Sequence, residues 1–274
     1  MKTAFSTLGC PDWKWREIIS TAKDMGFDGV EVRGVGNTLY APDISVFSDE
    51  KMPETLNKLH SINLDIPCVT SACLMYDYQG GKLIEEGKAY IDLAHKLGAR
   101  FIRLLGDEQP APQGEIDDRE VIKNTLLLSD YAAENAKEVT LLIETNGVYS
   151  DTKRLKNLIE NIGRDNVKVL WDIHHPYRYF GETPEETFEN VGEYVRYCHL
   201  KDSVLESDGR IRYKMLGYGD IPLKEILTIL KRSGYDSYLS LEWVKRWYAD
   251  LEDAGVVFLQ YLSYVKRTLA GIKL

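Results

Sequence analysis

The sequence predicts an α/β fold, a (β/α)8 TIM barrel in a single domain over residues 1–274, and three observations carry that prediction. Short β-rich runs alternate with longer amphipathic stretches from one end of the chain to the other. The strand candidates number eight, each followed by a helix-like stretch. The turn after the first strand, Leu8-Gly9-Cys10-Pro11-Asp12, lacks the GxGxxG that an open doubly wound sheet carries there.

Strands are expected at residues 4–8, 29–32, 64–70, 101–105, 140–144, 167–172, 195–200 and 238–242. Helices are expected at residues 15–25, 54–62, 83–97, 120–136, 152–161, 184–191, 223–231 and 251–270. Gly26, Gly98 and Gly234 stand where helices must stop before the next strand, as C-cap glycines do. Gly34 and Gly36 form a GxG after the second strand, but no third glycine completes a dinucleotide fingerprint. No linker, low-complexity run or charge block marks a domain boundary.

Composition narrows the function. The chain of 274 residues carries 34 basic and 43 acidic groups for a net charge of −9, which weighs against a nucleic-acid partner. Its apolar stretches fall short of the roughly 18 residues of a membrane span. The apolar stretch before Cys10 is likewise too short for a signal-peptide core, so a cytoplasmic protein is expected. Cys10, Cys68, Cys73 and Cys198 make no CxxC pair; Cys68 and Cys198 lie inside apolar runs and read as core.

Barrel enzymes place their chemistry at the C-terminal ends of the strands. Four strand ends here are polar. The fifth runs into Glu144, the sixth into Asp172-Ile173-His174-His175, the seventh into His199-Leu200-Lys201-Asp202, and the eighth into Glu242-Trp243. Any one such acid has an ordinary alternative, capping the next helix or pairing with an arginine. Three carboxylates and an imidazole at one barrel mouth are another matter, because they repel one another without a cation. A single divalent metal on Glu144, Asp172, His199 and Glu242 removes that repulsion. The oxygen-rich set favours Mn²⁺, with Mg²⁺ close behind and Co²⁺ or Zn²⁺ less suited. Of the adjacent His174 and His175, one is expected to point away from the site.

In this order and spacing, several segments resemble the xylose isomerase-like TIM barrel superfamily of sugar phosphate isomerases and epimerases. They are Gly26-Phe27-Asp28-Gly29-Val30-Glu31, Ile143-Glu144, Trp171-Asp172-Ile173-His174-His175, His199-Leu200-Lys201-Asp202, Gly217-Tyr218-Gly219-Asp220-Ile221 and Leu241-Glu242. The likeness covers nearly the whole chain. It implies the same four metal ligands, a substrate-contacting role for His175, and proton exchange by Glu144 and Glu242. It also implies a sugar or polyol substrate, and family members often form dimers or tetramers. An arginine common a few residues beyond the metal histidine in ketose 3-epimerases is absent, the stretch reading Lys201-Asp202-Ser203-Val204-Leu205. The superfamily's nuclease branch needs further histidines at the third and fourth strand ends, where this chain has Thr70-Ser71-Ala72 and Leu104-Leu105-Gly106.

The expected activity is therefore isomerisation or epimerisation by proton transfer through a metal-stabilised enediolate, with Glu144 and Glu242 as base and acid. Loss of a β-hydroxyl from the same intermediate makes a lyase acting on an inosose-like or shikimate-like substrate the alternative. A non-catalytic sugar-binding barrel is the reading from another class, and the complete ligand set weighs against it. His175, Lys201, Glu31, Arg103 and Trp243 are expected to contact substrate. For Glu31 the competing role is pairing with Arg33, for Arg103 balancing nearby acids, and for Trp243 packing between the last loop and helix.

Overall fold

A computed structural model describes residues 1–76 and 81–273. The strands are β1 Lys2–Ser6, β2 Gly29–Glu31, β3 Cys68–Leu74, β4 Phe101–Leu105, β5 Thr140–Glu144, β6 Val167–Asp172, β7 Val195–Leu200, β8 Asp202–Leu205, β9 Ile211–Lys214 and β10 Tyr238–Leu241. Eight of them are parallel and hydrogen-bonded in the order β2-β1-β10-β7-β6-β5-β4-β3. Backbone bonds Val32 N to Cys68 O (3.1 Å) and Thr70 N to Val32 O (2.8 Å) join the two end strands, so the sheet closes into the (β/α)8 barrel. The helices are α1 Trp15–Met25, α2 Met52–Ser61, α3 Gly81–Leu97, α4 Asp118–Asn135, α5 Thr152–Ile162, α6 Pro184–Val191, α7 Leu223–Arg232 and α8 Ala254–Gly271. Each turns a helical-period stripe to the barrel; α7 buries Leu223, Ile226, Leu227 and Leu230. The three expected cap glycines do end their helices, Gly26 with φ 81° and Gly234 with φ 77°.

Alternation along the strands decides what fills the barrel, because every second side chain points inward. Near the strand starts, Ala4, Cys68, Phe101, Leu142, Leu170, Tyr197 and Tyr238 pack into one apolar cluster. Two residues further along the same strands stand Ser6, Thr70, Arg103, Glu144, Asp172, His199 and Ser240, all buried. The polar level thus sits one pleat above an apolar floor, at the C-terminal face.

Besides shifts of a few residues at other element ends, such as α8 beginning at Ala254 rather than residue 251, three differences from expectation stand out. The first strand ends at Ser6, and Thr7–Gly9 turns in a 3-10 helix closed by Cys10 N to Thr7 O. The third begins at Cys68 rather than residue 64, because Pro67 has no N–H for the ladder; Asp65 approaches the sheet through a single bridge to Gly29. The hairpin β8–β9 was not foreseen, although Asp208-Gly209 between two β-rich runs is a hairpin signal and Gly209 has φ 84°. All four cysteines are free and buried. No helix among the described residues is long and apolar enough to cross a membrane.

Candidate active site

Strand register assembles the polar level. Parallel pairing sets Asp172 of β6 opposite His199 of β7, and Glu242 N bonds Leu200 O one residue past β10, at 3.1 Å. Glu144 arrives from β5. One ligand atom from each of Glu144, Asp172, His199 and Glu242 lies within 4.8 Å of the other three. His199 Nδ1 is the hub, at 3.3 Å from Glu144 Oε1, 3.4 Å from Glu242 Oε1 and 3.8 Å from Asp172 Oδ2. The opposite ring nitrogen, Nε2, lies 3.0 Å from Glu31 Oε2, and Glu31 Oε1 accepts from Thr70 Oγ1 at 2.7 Å.

Two cations balance the acids. Arg103 Nη1 donates to Glu144 Oε2 at 2.8 Å, and Nη2 donates to Ser71 O at 2.7 Å. Lys201 bonds Glu242 Oε2 and stands 2.7 Å from Asp172 Oδ2, off the hydrogen-bonding direction, so that buried oxygen accepts no hydrogen bond. Burial, the largest influence, would raise the Glu144 pKa, but the Arg103 guanidinium and the hydrogen bond with His199 together outweigh it and bring it down to about 2. Burial likewise opposes ionisation of Glu242, and Lys201 with His199 pulls it well below the usual carboxylate range. Burial disfavours a charged His199, yet Glu31 and Glu242 hold its pKa well above the ordinary imidazole value.

The donor set fits a divalent ion. It offers three carboxylates and one imidazole, the hard, oxygen-rich type. Bonds of roughly 2.0–2.2 Å would leave ligands up to about 4.4 Å apart, so a few tenths of an ångström of contraction suffices. Asp172 Oδ2, 3.8 Å from His199 Nδ1, is buried and accepts no hydrogen bond. Glu31, as acceptor for the remote N–H of His199, orients the ring as outer partners of metal-bound histidines do.

A cavity of about 520 Å³ opens above these groups, lined by the polar Glu144, Glu242, Arg103, Lys201, His175 and Arg33 and by Tyr213, Val244, Trp247 and Tyr248. His175 Nδ1 bonds the Thr145 carbonyl at 2.8 Å, so Nδ1 carries the proton and Nε2 keeps a lone pair; Nε2 has no partner. His174 turns away to Ser203 Oγ at 2.9 Å. The two rings diverge because residues 174 and 175 begin a helical turn, which continues as the π-turn Pro176–Phe180, rather than because the chain is extended.

Two expected substrate contacts lie elsewhere. Glu31 is fully buried between His199 and Thr70, below the cavity, and does not pair with Arg33. Trp243 follows inward-pointing Glu242 and therefore faces out, only 1% exposed, with its Nε1 donating to Glu252 O. The aromatic wall comes instead from Trp247 and Tyr248, four and five residues further along the chain, and from Tyr213 of the hairpin. Tyr213 and Asn146 were missed as lining residues; the Asp208-Gly209 turn was the signal for the first. Asp202, beside Lys201, has a structural task. Its carboxylate accepts from Ser203 N (2.8 Å), Gly217 N (2.8 Å), Gly219 N (2.9 Å) and Ile221 N (3.3 Å), clamping the following loop.

Residues 19–260 match the family described as the xylose isomerase-like TIM barrel. The chain belongs to that family. It is similar to fructoselysine 3-epimerase of Shigella flexneri, 21% identical over 257 residues that span 89% of this chain and 90% of the relative. Among solved structures it resembles the IOLI protein with a bound zinc atom, at TM-score 0.80 and 16% identity over 100% of this chain and 99% of that one. It also resembles the probable 3-DHS dehydratase AsbF of Bacillus anthracis, at TM-score 0.77 and 18% identity over 97% and 99% of the two chains.

Proposed function

We propose that this protein is a divalent-metal-dependent isomerase or epimerase of a sugar or related polyol. The observation that carries the reading is the convergence of Glu144, Asp172, His199 and Glu242 on one point beneath a cavity that only two of them, Glu144 and Glu242, also line. The likeness to fructoselysine 3-epimerase supports it.

A cation held by these four residues would polarise a substrate carbonyl and acidify the adjacent C–H. Mn²⁺ is the proposed ion on ligand hardness, although the IOLI neighbour binds zinc. The protein's own groups supply the proton traffic. Glu144 and Glu242 are held ionised and both reach the cavity, so each can take a proton from carbon and, once protonated, return it to carbon. Lys201, bonded to Glu242 and lining the same wall, is placed to donate to a substrate oxygen. His175 presents its bare Nε2 to accept from a hydroxyl. Tyr213, Trp247 and Tyr248 supply an apolar face for a sugar ring and limit water.

Lys201 also favours a second reading. An ammonium beside a carboxylate base can protonate a departing hydroxyl, which would make the protein a dehydratase, as AsbF, a probable 3-DHS dehydratase, is. Metal analysis of purified protein followed by solvent-deuterium exchange across ketoses, inososes and hydroxypyruvate tests both. Isomerisation leaves product mass unchanged, and dehydration removes one water. Protein that takes up no divalent ion, or binds substrate without exchange or product, would refute the catalytic reading.

A further inference from the structure

Among the described residues, every cation on the cavity wall but one is paired. Arg103 is paired with Glu144, and Lys201 with Glu242 and Asp172. Arg33 lines the same cavity, is only 9% exposed, and makes no ion pair among the described residues. Its one side-chain hydrogen bond among them runs from Nη1 to the Leu39 carbonyl at 3.3 Å. The Nε and Nη2 donors have no protein partner there.

Its position follows from strand alternation. Arg33 lies two residues beyond Glu31, so it points the same way and stands one level higher, above the His199–Glu31 pair. The backbone holds it there, with Arg33 N and Gly34 N both donating to Thr7 Oγ1 at 3.0 and 3.2 Å. The acid one pleat below, Glu31, is already committed to His199 and Thr70. Burial, with Arg103 nearby, lowers the Arg33 pKa to about 10, so the group is charged at neutral pH. A desolvated guanidinium with no counter-ion is costly and is retained where something supplies the charge.

We infer that Arg33 is a specificity-determining residue that receives an anionic group of the substrate, a carboxylate for choice, so that the substrate class is a sugar acid rather than a neutral sugar. The free Nε–Nη2 edge presents two parallel donors, the geometry that grips one carboxylate in a bidentate pair. A phosphate satisfies the same edge, but its further oxygens would need donors that a single arginine does not provide. The inference rests on the reading of this cavity as the substrate site.

The test titrates metal-loaded protein calorimetrically with D-fructose, D-fructuronate and D-fructose 6-phosphate, which differ at one end of the carbon chain. Metal content is measured on every sample. The wild type is expected to bind D-fructuronate at least about tenfold more tightly than D-fructose. Arg33→Gln, which keeps a donor for Leu39 O, should erase that preference while taking up the same amount of metal. Arg33→Lys, which restores the charge without the fork, should recover part of it. Binding of D-fructuronate no tighter than that of D-fructose, or a preference that survives Arg33→Gln, overturns the proposal. An Arg33-dependent preference for the phosphate ester over the acid overturns the carboxylate assignment. Arg33-dependent binding of the acid by protein that takes up no metal would sink the catalytic reading and leave this one standing.

Discussion

At the base of the barrel Phe101, Leu142, Leu170 and Tyr197 fill the interior with apolar side chains. One pleat higher Arg103, Glu144, Asp172 and His199, their successors on the same strands, fill it with charge. Both levels are buried, and they reach low energy by opposite means. The floor gains from removing apolar surface from water, roughly 1.5–3 kcal/mol for each large side chain. The charged level pays desolvation for every group and recovers it only through mutual pairing, so deleting one member strands another. The floor should therefore govern stability and tolerate changes that conserve volume, whereas the charged level should govern ion binding and tolerate almost nothing.

The largest expected effect comes from breaking the upper level at its two cavity-facing acids. Glu144→Gln and Glu242→Gln are each expected to lower turnover by about 10²–10⁴-fold, read as solvent-deuterium exchange into substrate. Retention of most of the activity by either would remove that residue from proton transfer. In the floor, Phe101→Ala should cost about 3–5 kcal/mol in a denaturant titration, while folded protein still takes up its ion. Loss of metal with unchanged stability would show that the two levels are not separable in this way.

Glu31→Gln sharpens the comparison, since it keeps the size of a group that orients His199 from below. A drop of about 10–100-fold in metal affinity is expected in chelator competition, with little change in folding. Unaltered affinity would make Glu31 a mere neighbour. Above the site, Gly219→Ala would set a Cβ 2.0 Å from Asp202 Oδ1 and disturb the clamp on the loop, at about 1–3 kcal/mol by thermal unfolding. Smallest of all, Trp247→Ala should raise KM by a few-fold without changing kcat, because the ring offers only surface to the substrate. A fall in kcat instead would place this wall in the chemistry.

Sequence periodicity made the eight strands and eight helices legible, because a strand buried on both sides must be apolar throughout and a barrel helix must carry one apolar stripe. The same logic exposed Glu144, Asp172, His199 and Glu242, since an acid ending an apolar run cannot be explained by the strand itself. Glu31 and Arg33 were legible only as an i, i+2 pair of opposite charge, for which a mutual ion pair was a natural reading. Alternation gave them a common direction, but Glu31 finds its partner on another strand, His199 on β7, and Arg33 pairs with no acid among the described residues. Trp243 and Trp247 illustrate the same limit: both are aromatics after the last ligand, and one is buried behind the barrel while the other lines the cavity.

By itself, the sequence determined the barrel, its order of elements and the residue types at the strand ends, all of which depend on local periodicity and on chemistry that a buried strand cannot hide. Only the tertiary structure decided which groups meet. Barrel closure and register bring β2 within reach of β7, set Glu31 rather than Arg33 against His199, and fold the β8–β9 hairpin so that Tyr213 lines the cavity. Distances of about 3 Å between residues far apart in the chain arise from the packing of whole elements, and no local pattern encodes them.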